Sequence, residues 1–258
     1  MPSLGIGSAL TRSSLTTPGI VTDNLVLKHK YDAGGVIPVS DGAVQFVGSD
    51  DKIAFSSDAI SGSNGLSVGG WFYLSSSITE RYATLFGKVE WTSSTRGFVI
   101  RRKDAAVQFT IGNGSSNEHT EVASYEADKW THFYGTVSDD ADGSKVVKFY
   151  INGALIDTET AGYYADAASR DMQIGYASLL DASTSDFIGF AANVNLYTVA
   201  LEQPQIKSIM NKNYAGLTSS ETDNLVSWWN LDIETDTDGT AGTGGVKDSH
   251  GTKHGTIS

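Results

Sequence analysis

An all-β protein, two antiparallel sheets stacked as a sandwich with one short helix and an extended N-terminal arm, is what three features of this sequence predict. The first is composition: 28 glycines, only four prolines and abundant Ser, Thr, Asn and Asp call for frequent turns. The second is a succession of short runs in which apolar residues alternate with polar ones, the period of a half-buried strand. The third is the scarcity of Leu/Glu/Lys/Ala-rich windows with helical period. With 258 residues and 40% hydrophobic content the chain can bury a substantial core, and sandwiches of this size often form single domains.

Residues 1–22 form the arm. Leu4, Ile6, Leu10, Leu15, Ile20 and Val21 are too sparse in this Ser/Thr/Gly-rich stretch to make a core of their own, so the arm needs either a partner subunit or its own sandwich to hold it. Residues 23–217 form the sandwich. "AVQFVG" and "KIAF" flank the turn-like "SDD", "LSVGGWFYL" follows "SGSNG", and "GFVIRR" and "AVQFTIG" flank Lys103–Asp104. Val107, Phe109 and Ile111 share one face of their strand, and Val147, Phe149 and Ile151 share one face of theirs. "SDDADGS" reads as a hairpin loop, and Asn152-Gly153 supplies the positive φ that a type I′ turn requires. "EQPQIKSIMNKN" is the helix, with Ile206, Ile209 and Met210 at i, i+3 and i+4 and Pro204 in the first turn; it is expected to cap a sandwich edge. Residues 218–258 are a tail carrying a second strand-like segment.

The formal charge of −12, with Lys and Arg scattered, removes the counterion-release drive of most nucleic-acid binding. With no cysteine, disulfides and thiolate metal sites are excluded and the compartment stays open. The first 24 residues hold one Arg and no unbroken apolar run, so they read as neither a secretory signal nor a membrane span.

From Trp71 onward, phrases recur in a recognisable order. "VGGWFYL" comes first, then "LFGKVE", "GFVIRR" and "AVQFTIG", then Trp130-x-His132, the hairpin Tyr150-Ile151-Asn152-Gly153, and finally "FIGFAANVNLYTVALEQPQIKSIM". In this the stretch from Asp23 to Asn213 resembles the laminin-G-like members of the concanavalin A-like jelly rolls. The resemblance implies a jelly-roll sandwich. Trp71 and Trp130 have the bulk to fill the space between sheets about 10 Å apart and are expected there, with Phe149 in the same layer. His132, on the face of Trp130, is expected to be structural. Where the family commonly has an acidic pair after the glycine of the last strand, this chain has Ala191 and Ala192, so functions tied to those carboxylates are not carried over.

A narrower resemblance covers about thirty residues, "SLTTPGIVTDNLVLKHKYDAGGVIPVSDGA", which is similar to leading segments of virion structural proteins of tailed bacteriophages of marine bacteria. It implies a non-enzymatic capsid-decoration or tail-associated protein located on the virion, with other virion proteins as partners and a homo-oligomeric state; the alternative is an adhesin for host-surface glycans. "DNLVLKHKYD" at Asp23 and "DNLVSWWNLD" at Asp223 repeat one phrase. Two strands of one type invite pairing either within the chain or on a neighbouring subunit, which makes Leu225, Trp228 and Leu231 interface candidates together with the arm residues.

Chemistry is thinly represented. The retaining β-glucanases of the same superfamily carry an E-x-D-x-(x)-E run because acid and nucleophile must flank one bond; Glu234, Asp236 and Asp238 come nearest and lack the second Glu. No Gly-x-Ser-x-Gly elbow occurs, and "GTAGTGGVK" lacks the G-K-[ST] ending of a phosphate loop. His250 and His254 lack the further ligands zinc wants. "ETDTDG" opens like an EF-hand, but its twelfth position is Gly245; calcium stays a candidate cofactor there and at Asp139, Asp140 and Asp142, which serve equally as turn residues. For glycans the candidate contacts are Trp91, Tyr163 and Tyr164, aromatics near turn sequence.

Overall fold

The computed structural model describes residues 42–48, 51–55, 60, 65–91, 95–115, 117–122, 124–161, 170–176, 186–232 and 245–257. The chain divides into two compact units, residues 1–30 and 31–258. Leu4, Ile6, Leu10, Leu15, Ile20, Val21, Tyr163, Tyr164, Glu234, Asp236 and Asp238 lie outside the described residues, as does the first copy of the repeated phrase.

The strands are β1 (Val44–Val47), β2 (Ile53–Ala54), β3 (Leu66–Leu74), β4 (Tyr82–Trp91), β5 (Thr95–Lys103), β6 (Ala106–Asn113), β7 (Asn117–Val122) and β8 (Trp130–Asp139). They continue with β9 (Lys145–Ile151), β10 (Ala154–Ala161), β11 (Gln173–Ile174) and β12 (Ile188–Tyr197), then, after helix α1 (Gln203–Ile209), β13 (Leu225–Trp229), β14 (Gly245–Val246) and β15 (Gly255–Ile257). One sheet runs β1-β12-β3-β8-β9-β10, with β13 also paired to β12; the other runs β14-β15-β2-β11-β4-β5-β6-β7. Every pairing is antiparallel, and the two sheets stack as a sandwich. The Asn152-Gly153 turn closes the β9–β10 hairpin: φ is +48° and +74°, both positive as a type I′ turn demands.

Alternation decides which side chains meet between the sheets. Val68, Phe72 and Leu74 of β3, Phe133 and Val137 of β8, and Phe149 of β9 face Leu85, Phe86, Phe98, Ile100, Phe109 and Ile111 of the other sheet, all buried in one cluster. Each contributes roughly 1.5 to 3 kcal/mol by leaving water. Phe149 occupies the layer expected of it. Trp71 and Trp130 do not: their parity is opposite to that of Phe72 and Phe133, so both stand on the outer face of the first sheet. The tryptophan between the sheets is Trp229, whose ring lies 4.1 Å from Phe55 and 5.8 Å from Phe86, centroid to centroid. In "GWFYL" both faces of the strand are aromatic, and only one set can point inward.

Strand β12 is the spine of the first sheet. Along one edge β1 covers residues 188–191 and β13 covers residues 194–197, so two segments from opposite ends of the described chain complete a single edge. Asn193, at φ +49°, marks the junction, and the register of β12 against β3 shifts there. That irregularity presses the backbone of β12 onto β3: a Cβ on Gly70 would sit 2.9 Å from Cα of Val194, and one on Gly69 would sit 2.2 Å from the Phe133 carbonyl oxygen. The Gly69-Gly70 pair thus lets three strands approach closely.

Helix α1 opens with a capping box between Glu202 and Gln205 and has Pro204 in its first turn. It lies across the outer face of the first sheet, not at an edge: Ile206 and Ile209 are buried with Tyr134, Tyr150, Tyr197, Leu201, Leu225 and Trp228. Two short 3₁₀ turns, Tyr214–Gly216 and Ser219–Glu221, continue this cover. Lys212 donates to both carboxylate oxygens of Glu221 at 2.6 and 2.7 Å. Among the described residues no helix is long and apolar enough to cross a membrane.

The C-terminal segment closes both sheets. β13 pairs with β12 in the same chain, and β15 pairs with β2 of the other sheet. Leu225, Trp228 and Leu231, the interface candidates, are 7%, 1% and 0% exposed and pack against their own sandwich. The "KDSHGTKHG" turn is built around buried Asp248. Its carboxylate accepts from the backbone N–H of Trp228, His250, Gly251 and Lys253 at 2.9 to 3.1 Å, and the Lys253 carbonyl in turn accepts from Trp229 Nε1. Replacing Asp248 by Ala leaves these donors without their acceptor and is expected to lower unfolding free energy by about 2 kcal/mol or more, whereas Asp248→Asn keeps one acceptor oxygen and loses less. Urea unfolding of the two variants checks the order; equal stabilities would contradict it.

Candidate functional site

The outer face of the first sheet is divided into two parts. Over one part the helix and the 3₁₀ turns bury Tyr134, Tyr150 and Tyr197, with the Tyr134 hydroxyl donating to Asn195 Oδ1 at 2.7 Å. The boundary is the next cross-strand row, Ala192, Trp71 and His132, where Trp71 Nε1 donates to the Met210 carbonyl at 2.8 Å. Two residues further along each strand comes the row Phe190, Tyr73 and Trp130, directly opposite one another on β12, β3 and β8. Among the described residues no element continues the cover here, and all three residues are partly exposed. Exposed Gln45 of β1 is opposite Phe190 and extends the row to the sheet edge.

The three rings converge instead of lying in a line. Centroids are 5.5 Å apart for Tyr73 and Phe190, 5.9 Å for Tyr73 and Trp130 and 6.2 Å for Trp130 and Phe190, nearly an equilateral triangle. The ring planes meet at 79°, 60° and 46°, so edges and faces are both presented. Cross-strand aromatic pairs also fasten the three strands, by roughly 0.5 to 1.5 kcal/mol per pair.

A polar rim borders this triad. Asp128 sits at φ +59° just before β8, its N–H donating to the Leu74 carbonyl at 2.8 Å. Its exposed carboxylate accepts from the Ser76 N–H at 2.9 Å, from the Ser76 side chain and from the Tyr73 hydroxyl. Those donors, Ser76 foremost, hold its pKa below the usual carboxylate range. The Ser75 and Ser77 hydroxyls share a 2.7 Å hydrogen bond beside it. Chemically the arrangement offers a compact apolar surface beside an ionised acceptor and several hydroxyls.

A cleft of about 220 Å³ opens elsewhere, between Tyr197, Leu201, Gln205, Ile209, Glu221 and Asn224. It is smaller than the roughly 300 to 1,000 Å³ of small-molecule sites. Glu221 there is engaged in structure. Burial alone would raise its pKa, but hydrogen bonds from Lys212, Thr218 and Ser208 outweigh that and hold it at about 2.

His132 is a packed structural ring. It is 1% exposed, stacks on Tyr134 at 5.4 Å and 10°, and meets Trp71 edge-on at 5.4 Å. Burial pushes its pKa down to about 3, so it is neutral in the folded protein. Asp140 and Asp142 accept from the N–H of Ala141 and Ser144 within their own hairpin turn, and Asp139 pairs with Lys145. His254 Nδ1 accepts from the Asp248 N–H, and His250 contacts the Tyr214 hydroxyl at 3.2 Å. Among the described residues no group of three His, Cys, Asp or Glu side chains is arranged to hold a metal ion. Of the glycan candidates read from the sequence, Trp91 ends β4 opposite Thr95, with its side chain outside the described part, and Tyr163 and Tyr164 lie outside it altogether. The signal for the triad was present in "GWFYL" and "WTHFY", where aromatics at both parities require some of them to face outward.

A laminin-G family model, described as the concanavalin A-like lectin/glucanases superfamily, matches residues 47–207. The chain belongs to this superfamily. No curated protein matches the sequence. Among solved structures, a candidate carbohydrate-binding protein from Bacteroides ovatus is similar at 16% identity with a TM-score of 0.58, over 83% of this chain and 58% of that one. The heptameric SAP-like pentraxin of Limulus polyphemus is similar at 15% identity and 0.48, over 65% of this chain and 81% of that one. The binding domain of botulinum neurotoxin serotype C1 is similar at 20% identity and 0.40, over 58% and 36%. At 16% identity the likeness to the Bacteroides ovatus protein is one of fold, and this superfamily member spans 58% of its length.

His132 makes stability depend on pH. Below about pH 6.5 the unfolded chain binds a proton on this ring that the folded chain refuses until about pH 3, so stability is full above 6.5 and falls as pH drops, by up to about 1.4 kcal/mol per unit. Glu221 acts in the same direction only from about pH 4.5 downward. His132→Phe is therefore expected to flatten the stability curve between pH 6.5 and 4.5, measured by urea unfolding at several pH values; parallel curves for the two proteins would contradict it.

Proposed function

We propose that this chain is a non-catalytic carbohydrate-binding module that seats a sugar on the Phe190–Tyr73–Trp130 triad. The observation that carries the reading is the triad itself: three aromatic rings left partly exposed at the end of a covered sheet face, with Asp128 and serine hydroxyls at the margin. A sugar ring has an apolar C–H face and a polar hydroxyl edge. The C–H groups meet the negative faces of the aromatic rings, and the hydroxyls reach the rim. The fold shared with a candidate carbohydrate-binding protein of Bacteroides ovatus supports the same reading. Hydrolysis would need two carboxylates flanking a bond, and the sequence lacks the strand run that carries them in glucanases of this superfamily.

The glycan-binding reading goes further than docking on a phage particle. The arm proposed for docking lies outside the described residues, and Leu225, Trp228 and Leu231 are buried in their own sandwich. The virion setting drawn from residues 14–43 concerns where such a module would act, and mass spectrometry of purified virions would test it separately.

Screening the protein on a glycan array is expected to give reproducible binding that soluble sugar competes away. Trp130→Ala, which removes one side of the triad, is expected to weaken the best ligand at least about tenfold while the far-UV circular dichroism stays that of a β-sandwich. Unchanged affinity in a folded Trp130→Ala protein, or no glycan bound by the wild type, would overturn the proposal.

A further inference from the structure

We infer that the triad holds a single, uncharged or cationic sugar ring and rejects rings that carry a carboxylate or sulfate. This rests on the glycan-binding reading and adds its specificity.

Size sets the first half. Had the three rings been splayed along the row, centroids on β12 and β8 would be separated by two strand spacings, roughly 9 to 10 Å. Instead Trp130 and Phe190 are 6.2 Å apart, each within 6 Å of Tyr73. The apolar surface is therefore about one sugar ring across, too short for consecutive rings of a chain to stack side by side. On one side it is bounded by the row of Trp71 and His132, where the cover of the sheet begins, and on the Tyr73 hydroxyl side by Asp128 and Ser76. One sugar ring fills the space between these limits.

Charge sets the second half. Asp128 is held in an αL turn by its N–H bond to the Leu74 carbonyl, and its carboxylate is aimed by Ser76 and Tyr73. The three hydrogen bonds from Ser76 and Tyr73 leave acceptor capacity on a carboxylate that offers about four lone-pair positions. A sugar hydroxyl or ammonium can donate to it; a second anion cannot, and is repelled. The whole chain, at −12, adds to that repulsion. Nearby Lys129 is engaged with Glu126, which limits its use as a counter-charge.

The test compares matched pairs of oligosaccharides that differ only in whether the terminal ring is neutral or carries an acidic group, titrated against the full chain by calorimetry. Asp128→Asn is the informative variant. Asn tolerates the αL conformation as well as Asp and its carbonyl oxygen can still accept from Ser76 and Tyr73, so the turn is retained while the charge is removed. Wild type is expected to prefer the neutral member of each pair by about tenfold or more, and Asp128→Asn to shrink that preference. Lengthening the neutral glycan beyond its terminal ring is expected to change affinity less than about threefold. If glycans bind and Trp130→Ala abolishes binding, yet acidic ends bind as tightly as neutral ones or Asp128→Asn leaves the preference intact, the specificity inference fails and the binding reading stands. If no member of any pair binds, both fail together.

Discussion

Everything in the first sheet depends on how the exposed edge of β12 is completed. A long central strand with one unpaired edge would present a row of N–H and C=O groups to solvent or to another chain. Here β1 satisfies one half and β13 the other, and the seam falls at Asn193, in the left-handed conformation. The junction requires β3 to give way, which Gly69 and Gly70 allow, and it needs β13 anchored, which the Asp248 turn provides. With β13 in place Trp229 reaches the space between the sheets, and Leu231 follows it. The second occurrence of the repeated phrase is thus a structural closure of the sandwich.

The same parity rule that fills the core also creates the candidate site. Strands β3 and β8 carry aromatics on both faces, so for every ring turned inward another is turned outward. Over half of the outer face, α1, the 3₁₀ turns and β13 supply the apolar side chains that bury those rings. Over the other half no such element among the described residues buries them, and Tyr73, Trp130 and Phe190 are left at the boundary between apolar sheet and water. The surface proposed for glycan binding arises here by incomplete covering, with the turn residues Ser75–Ser77 and Asp128 supplying polarity at the margin.

Strand positions, the Asn152-Gly153 hairpin, the helix and the sandwich architecture were legible because each rests on local signals: period-two alternation, turn residues and a proline in a first turn. What was not legible is which face of a doubly apolar strand turns inward. Trp71 and Trp130 were assigned to the inter-sheet space on bulk alone, but bulk does not distinguish faces; the register of β12, with Ala191 inward and Phe190 outward, settles it only in three dimensions. Trp229, which does fill that space, lies more than 150 residues from Trp71 in sequence, and nothing local announces that it returns to the core. The purpose of the Asp248 turn, gathering four N–H donors at the end of a strand, depends on where Trp228 sits.

The central claim, that the tail of the chain completes the spine of the first sheet, is tested most directly by native-state hydrogen exchange on the intact protein. Asn193 N–H donates to the Asn230 carbonyl and Trp228 N–H to Asp248, so both amides exist as protected groups only if β13 is seated on β12. The account predicts that both exchange at rates set by global unfolding, as slowly as amides at the centre of the β3–β8 ladder. Exchange at the rate of a frayed edge, with β3 and β8 still protected, would contradict it.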